Sequence, residues 1–134
     1  MLNWIRAVAA CVGLCLALAA CAHQQAPVYT VQEKAFPPAA RSLNLAQIDS
    51  QIEQAAIARG WKVEKVKPSE LRVSIEWSAH STVESITFTQ RAYSIRHVSS
   101  ISLREKDGYI HRQRNVRVQQ LEEEIDRRLK FGAS

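Results

Sequence analysis

His23, His80, His97 and His111 are the side chains of this sequence best suited to holding a metal or moving a proton. Zinc asks for three or four ligands that converge, and no paired spacing such as H-E-x-x-H accompanies these histidines. His23 lies near the N-terminus, His80 and His97 fall on or beside adjacent strands, and His111 stands near the start of a helix. A small-ligand or metal site would use His80, His97 and His111. The plainer expectation gives His80 and His111 structural hydrogen bonds that fix a turn and a helix start, with Asn115 one turn beyond His111. No metal and no cofactor is expected. Ser94, Ser99, Ser100 and Ser102 cluster, but no G-x-S-x-G elbow and no S-x-x-K pair occurs. An activated nucleophile also needs an adjacent base and an orienting third group. The aspartates are Asp49, Asp107 and Asp126, each assigned to a helix or a turn. No catalytic residue is assigned, and the chain reads as a non-enzyme.

The charge balance carries more. Eighteen Lys and Arg stand against thirteen Asp and Glu, a formal charge of +5. Arg104, Lys106, Arg112, Arg114 and Arg117 are close in sequence, balanced in part by Glu105, Asp107 and the acids at 122–124. Arg112, Arg114 and Arg117 are the candidate contact for an anionic or protein partner; the alternative is a solvated helix end.

Regular elements must position these residues. Asn44 is a suitable N-cap, Leu45, Ile48, Ile52, Ala55 and Ala56 recur at helical steps, and Gly60 supplies a left-handed stop. The spacing predicts a helix over 45–59. Trp61, Val63 and Val66 suggest a first strand. Leu71, Val73, Ile75 and Trp77 alternate with Arg72, Ser74, Glu76 and Ser78, the pattern of a half-buried strand. A third strand is predicted over 82–89, with Ile86 and Phe88 on one face and Val83 on the other. A fourth follows over 93–98. A charged loop over 104–108 precedes a last helix carried by Val118, Leu121, Ile125 and Leu129. Short links imply an antiparallel meander. The expected fold is therefore α+β, a two-layer sandwich in the order α-β-β-β-β-α, with a four-stranded meander covered by two helices.

The N-terminus has a different composition. Arg6 is the one charge before an uncharged run over 7–20 rich in Ala, Leu, Val and Cys, which ends at Leu18-Ala19-Ala20-Cys21. A basic start, an apolar stretch and small residues before a cut site describe a secretory signal. The four-residue motif resembles the lipobox of bacterial lipoproteins. That resemblance implies cleavage between Ala20 and Cys21 and lipidation of Cys21. Val8-Ala9-Ala10-Cys11 has too short a lead, and Cys15 follows Leu14 where a small residue is wanted. The competing reading is an uncleaved anchor, although the run is shorter than the roughly twenty residues that span a bilayer. Either way the domain faces the periplasm, where nucleic acid is not an expected partner. Three acyl chains exceed what stable anchoring needs, and Ala22 in place of Asp favours the outer membrane. With Cys11 and Cys15 removed and Cys21 acylated, no thiol remains for a disulfide, nucleophile or metal.

The domain boundaries are then a signal over 1–20, a lipidated, Pro-rich linker over 21–42 and a domain over 43–131. Pro27, Pro37 and Pro38 favour an extended linker; Val28, Tyr29, Val31 and Phe36 leave open an edge strand packed on the domain. The chain further resembles a group of small Gram-negative envelope lipoproteins with no assigned activity. The matching residues are Gly60-Trp61, His80, Tyr93-Ser94-Ile95-Arg96, Ser100, Leu103, Ile110-His111 and Asn115. Glu84 departs from this pattern, standing where an apolar residue is expected; Arg114 and Arg117 depart where aromatics are usual. The resemblance implies a lipid-anchored binding or structural module with an envelope protein or anionic envelope polymer as partner.

Overall fold

A computed structural model describes residues 24–131. Ala20, Cys21, His23 and the apolar run before them lie outside the described residues. The chain is α+β, and it holds one strand more in the main sheet than the sequence pattern predicts. Strands β1 (Gln25–Pro27) and β2 (Val31–Ala35) come first, then a short 3₁₀ helix, Pro38–Ser42. Helix α1 (Leu45–Ala58) leads into β3 (Lys62–Lys67), β4 (Glu70–Trp77), β5 (His80–Phe88) and β6 (Ala92–Ile101). A three-residue strand β7 (Tyr109–His111) runs directly into helix α2 (Arg112–Phe131). The main sheet is antiparallel in the order β2-β6-β5-β4-β3, and β1 pairs with β7 in a separate ribbon.

Both ends of α1 follow from local chemistry. Asn44 accepts from the Gln47 amide at 2.9 Å while the Gln47 side chain accepts from the Asn44 amide at 2.9 Å, a reciprocal capping box. At the other end Gly60 takes φ +82°. The Gly60 amide donates to the Ile57 carbonyl and the Trp61 amide to that of Ala56, the paired bonds of a Schellman stop. Trp61 then turns inward and is buried. The period-two reading of β4 holds as well: Leu71, Val73 and Ile75 face the core, with Arg72 and Ser74 on the opposite face. Those inward residues form one apolar cluster with Ile48, Ile52, Ala55 and Ala56 of α1 and Val118, Leu121, Ile125 and Leu129 of α2.

The stretch over 24–42 is not an extended linker. Val31 pairs with Ile95 and Ala35 with Ala92 along the free side of β6, and Gln25 pairs with His111. The prolines do not prevent this, because Pro is tolerated at strand ends and sheet edges, where no ladder donor is missed. Side chains fasten the segment. The Tyr29 hydroxyl donates to Glu122 at 2.7 Å, Lys34 pairs with Glu122 at 3.0 Å and with Asp126 at 2.5 Å, and Tyr93 donates to Asp126 at 2.8 Å. The hydrogen bond to Glu122 raises the pKa of Tyr29, with burial adding to it, and burial, then Asp126, raises that of Tyr93. Both phenols stay neutral donors.

Two smaller corrections matter for the site. Helix α2 begins at Arg112, ahead of the Val118–Leu129 stripe that marks it in the sequence. The loop predicted over 104–108 closes a tight turn, in which Lys106 and Tyr109 exchange backbone hydrogen bonds at 2.9 Å. Asp107 and Gly108 take φ +53° and +79° there, as a two-residue hairpin turn requires. No helix among the described residues is long and apolar enough to cross a membrane.

Candidate functional site

Strand β5 changes character along its length. Thr82, Glu84, Ile86 and Phe88 all point to the core side and are buried, so its second half is apolar and its first half polar. Glu84 is completely buried, and Arg114 from the first turn of α2 is completely buried against it. The Arg114 Nε donates to Glu84 Oε1 at 2.9 Å and Nη2 donates to Oε2, the two-pronged geometry that matches guanidinium to carboxylate. Arg114 Nη1 donates to the Tyr29 carbonyl and, at 3.2 Å, to Asn115 Oδ1. Two further donors reach Glu84 Oε1, the Thr82 hydroxyl at 2.7 Å and His97 Nδ1 at 3.2 Å. Three of these donors converge on Oε1 and one reaches Oε2. Completely buried and paired with Arg114, Glu84 holds structure.

His97 completes the cluster. Its second nitrogen meets Glu105 Oε2 at 2.9 Å, so both ring nitrogens face carboxylates and both must carry protons. The bond with Glu84 raises the His97 pKa; burial opposes it, while the charge of Glu84 and the bond with Glu105 reinforce it. Glu84 and Glu105 thus face Arg114 and a protonated His97, a locally neutral set. Asn115 joins this cluster to the N-terminal segment: its Nδ2 donates to the Pro27 carbonyl at 2.8 Å and its Oδ1 accepts from the Tyr29 amide at 3.1 Å.

A second group lies at the same end. Trp77 and His80 rings sit 5.7 Å apart, and His80 stacks on His111 at 5.6 Å. The Arg117 guanidinium lies 4.2 Å from the Trp77 ring centroid, a cation–π contact. His80 Nδ1 is 2.9 Å from the Ser102 carbonyl, which can only accept, so that nitrogen donates. His111 Nδ1 accepts from the Gln113 amide at 3.3 Å and is therefore unprotonated. Burial first, then His80 and Arg104, lowers the His111 pKa, in agreement with a neutral ring whose Nε2 carries the proton.

The residues singled out by sequence thus separate into three environments. Arg114 is not at the surface, so it cannot belong to an anion patch with Arg112 and Arg117. Arg112 is exposed at the helix start, and Arg117 is half-buried over Trp77. His80 and His111 adjoin, His80 bonded to the Ser102 carbonyl and His111 to the Gln113 amide, but His97 engages Glu84 and Glu105 instead of joining them. Among the described residues no group of three or more His, Cys, Asp or Glu has the arrangement of a metal site. The Glu84 and Arg114 pair was missed, although its signal was present. An acid in the inward phase of a strand demands a buried cation, and Arg114 is such a cation in the inward phase of α2. Comparison with family models, curated proteins and solved structures gives no match for this chain.

Proposed function

We propose that this chain is a lipid-anchored, periplasm-facing envelope protein whose domain, a two-layer sandwich, is a binding or structural module without catalysis of its own. The observation that carries this reading is Leu18-Ala19-Ala20-Cys21 at the end of an uncharged apolar run. The buried Glu84–Arg114 pair supports a structural role for the most conspicuous ionisable cluster. Ala22 after the cysteine favours the outer membrane. Partners on this reading are the membrane itself, through Cys21, and an envelope protein or anionic envelope polymer.

The fold sharpens the geometry of such an anchor. Strand β1 begins at Gln25, so three residues, or four Cα-to-Cα steps, separate it from Cys21. At the reach of an extended chain they span about 14 Å. The domain would sit on the membrane surface rather than at the end of a long leash. Intact mass and membrane fractionation, with wild type beside Cys21→Ser, test the anchor. A tri-acylated chain starting at Cys21 and released by the substitution is the expected result. An unprocessed chain retained in the membrane in both forms refutes the reading.

A further inference from the structure

On the lipid-anchor reading, a leash of three residues sets which end of the domain meets the lipid. The Arg112 amide donates to the Gln24 carbonyl at 2.8 Å, and Gln25 pairs with His111. The chain therefore leaves the domain beside the start of α2. The side chains arrayed around that exit are the ring row of Trp77, His80 and His111, with Arg117 over Trp77 and Arg104 close enough to influence His111. The inner nitrogens of the row have protein partners: Trp77 Nε1 donates to Gln113 Oε1 at 2.9 Å, His80 Nδ1 to the Ser102 carbonyl, and His111 Nδ1 accepts from the Gln113 amide. The Arg104 side chain is exposed and makes no ion pair among the described residues. The neighbouring acid Glu105 is already engaged by His97. His111 Nε2 bears a proton by the tautomer argument above. The row thus sets the exposed Arg104 and the His111 Nε2 proton beside an indole.

We propose that Trp77, His80 and His111, flanked by Arg104 and Arg117, form a contact surface for the phospholipid headgroups of the membrane that holds Cys21. This rests on the lipid-anchor reading. Guanidinium and imidazole N–H groups match phosphodiester oxygens, which only accept. Tryptophan favours the boundary between hydrocarbon and water because one edge is polar and the body is not. Basic side chains near an anionic leaflet are attracted to it. The surface orients the domain: the end bearing Gln24 lies against the headgroups, and the turns at Ser69 and Gln90, at the other ends of these strands, point away.

The test uses the acylated protein in vesicles of phosphatidylethanolamine and phosphatidylglycerol with spin-labelled headgroups. On the anchor reading the mature chain has no other free thiol, so one introduced cysteine takes one fluorophore. Ile101→Cys probes the row, since Ile101 is exposed and pairs with Ser81 beside His80; Val66→Cys, also exposed, probes the far end. Quenching several-fold stronger at 101 than at 66, reduced by Arg104→Glu with Arg117→Glu, is the expected result. Should the double variant fail to fold, Arg104→Glu alone changes an exposed side chain and must still reduce the difference. Equal quenching at both positions in a chain shown by mass to be acylated overturns the surface and leaves the anchor standing. A chain without acyl groups overturns both.

Discussion

The two ends of the layer between sheet and helices are built on opposite principles. Toward the turn at Gln90, the second half of β5 and the second half of α2 meet through Ile86, Phe88, Ile125 and Leu129, all buried and apolar. Toward the start of α2, the first halves of the same two elements meet through Thr82, Glu84, Arg114 and Asn115, all buried and polar. Apolar packing is non-directional, so its stability follows volume and area. A buried ion pair is directional, and it is favourable only while every donor and acceptor is matched. The apolar end should therefore yield by degrees, whereas the polar end should fail when either charge of the Glu84–Arg114 pair is removed alone.

The sharpest test removes one partner of the pair. Glu84→Ala or Arg114→Ala alone leaves an uncompensated buried charge and is expected to cost about 3–5 kcal/mol in urea unfolding. Replacing both, as Glu84→Leu with Arg114→Met, should cost less than either single change. A double variant as unstable as the sum of the two would break the contrast. At the apolar end Ile52→Ala should cost about 2–5 kcal/mol, while Ile86→Val on β5 should cost only about 0.5–1.5 kcal/mol. That graded response distinguishes packing from pairing.

Asn115→Ala separates the polar end from the segment it fastens. Loss of bonds to Pro27 and Tyr29 is expected to cost about 1–3 kcal/mol. Hydrogen exchange should speed at Tyr29 and leave β4 and β5 protected. Uniform loss of protection would show that β1 and β2 belong to the same cooperative unit. The smallest effect is the pH response of His97. Its pKa is raised above the ordinary 6.5, so the protonated ring favours the folded state. That contribution is fully present below pH 6.5 and is lost as pH rises through the raised value. Thermal melts across this range should fall with pH in wild type, and His97→Gln should flatten that component.

The same contrast explains what was legible in the sequence. Helix α1 was readable because its signals are local: Asn44, the apolar steps to Ala56, and Gly60. Strand β4 was readable because Leu71, Val73 and Ile75 alternate without interruption. Strand β1 was not, and β2 was legible only as an open alternative, because their partners are distant and their prolines resemble those of a linker. Val31 meets Ile95, and Gln25 meets His111, pairings that no short window contains. Arg114 looked like one more cation among its neighbours, since composition does not distinguish an inward helix position from an outward one. The helix phase did, because Arg114 and Asn115 stand one turn before Val118, whose buried stripe they extend. His80 and His111 were legible as structural groups but not as stacked rings, which depends on β7 feeding directly into α2.

The sheet ends in two free edges, β2 and β3, and neither invites another chain. Strand β3 carries Lys62, Lys65 and Lys67, and β2 is broken by a register shift and by Glu33 at φ +47°. Charged side chains and a twisted, irregular backbone are the means by which natural sheets discourage edge-to-edge growth. On the proposed lipid anchor, copies crowded in two dimensions would meet far more often than in free solution. The lysine row and the kink would then keep each domain separate from its neighbours, so that crowding would not become aggregation.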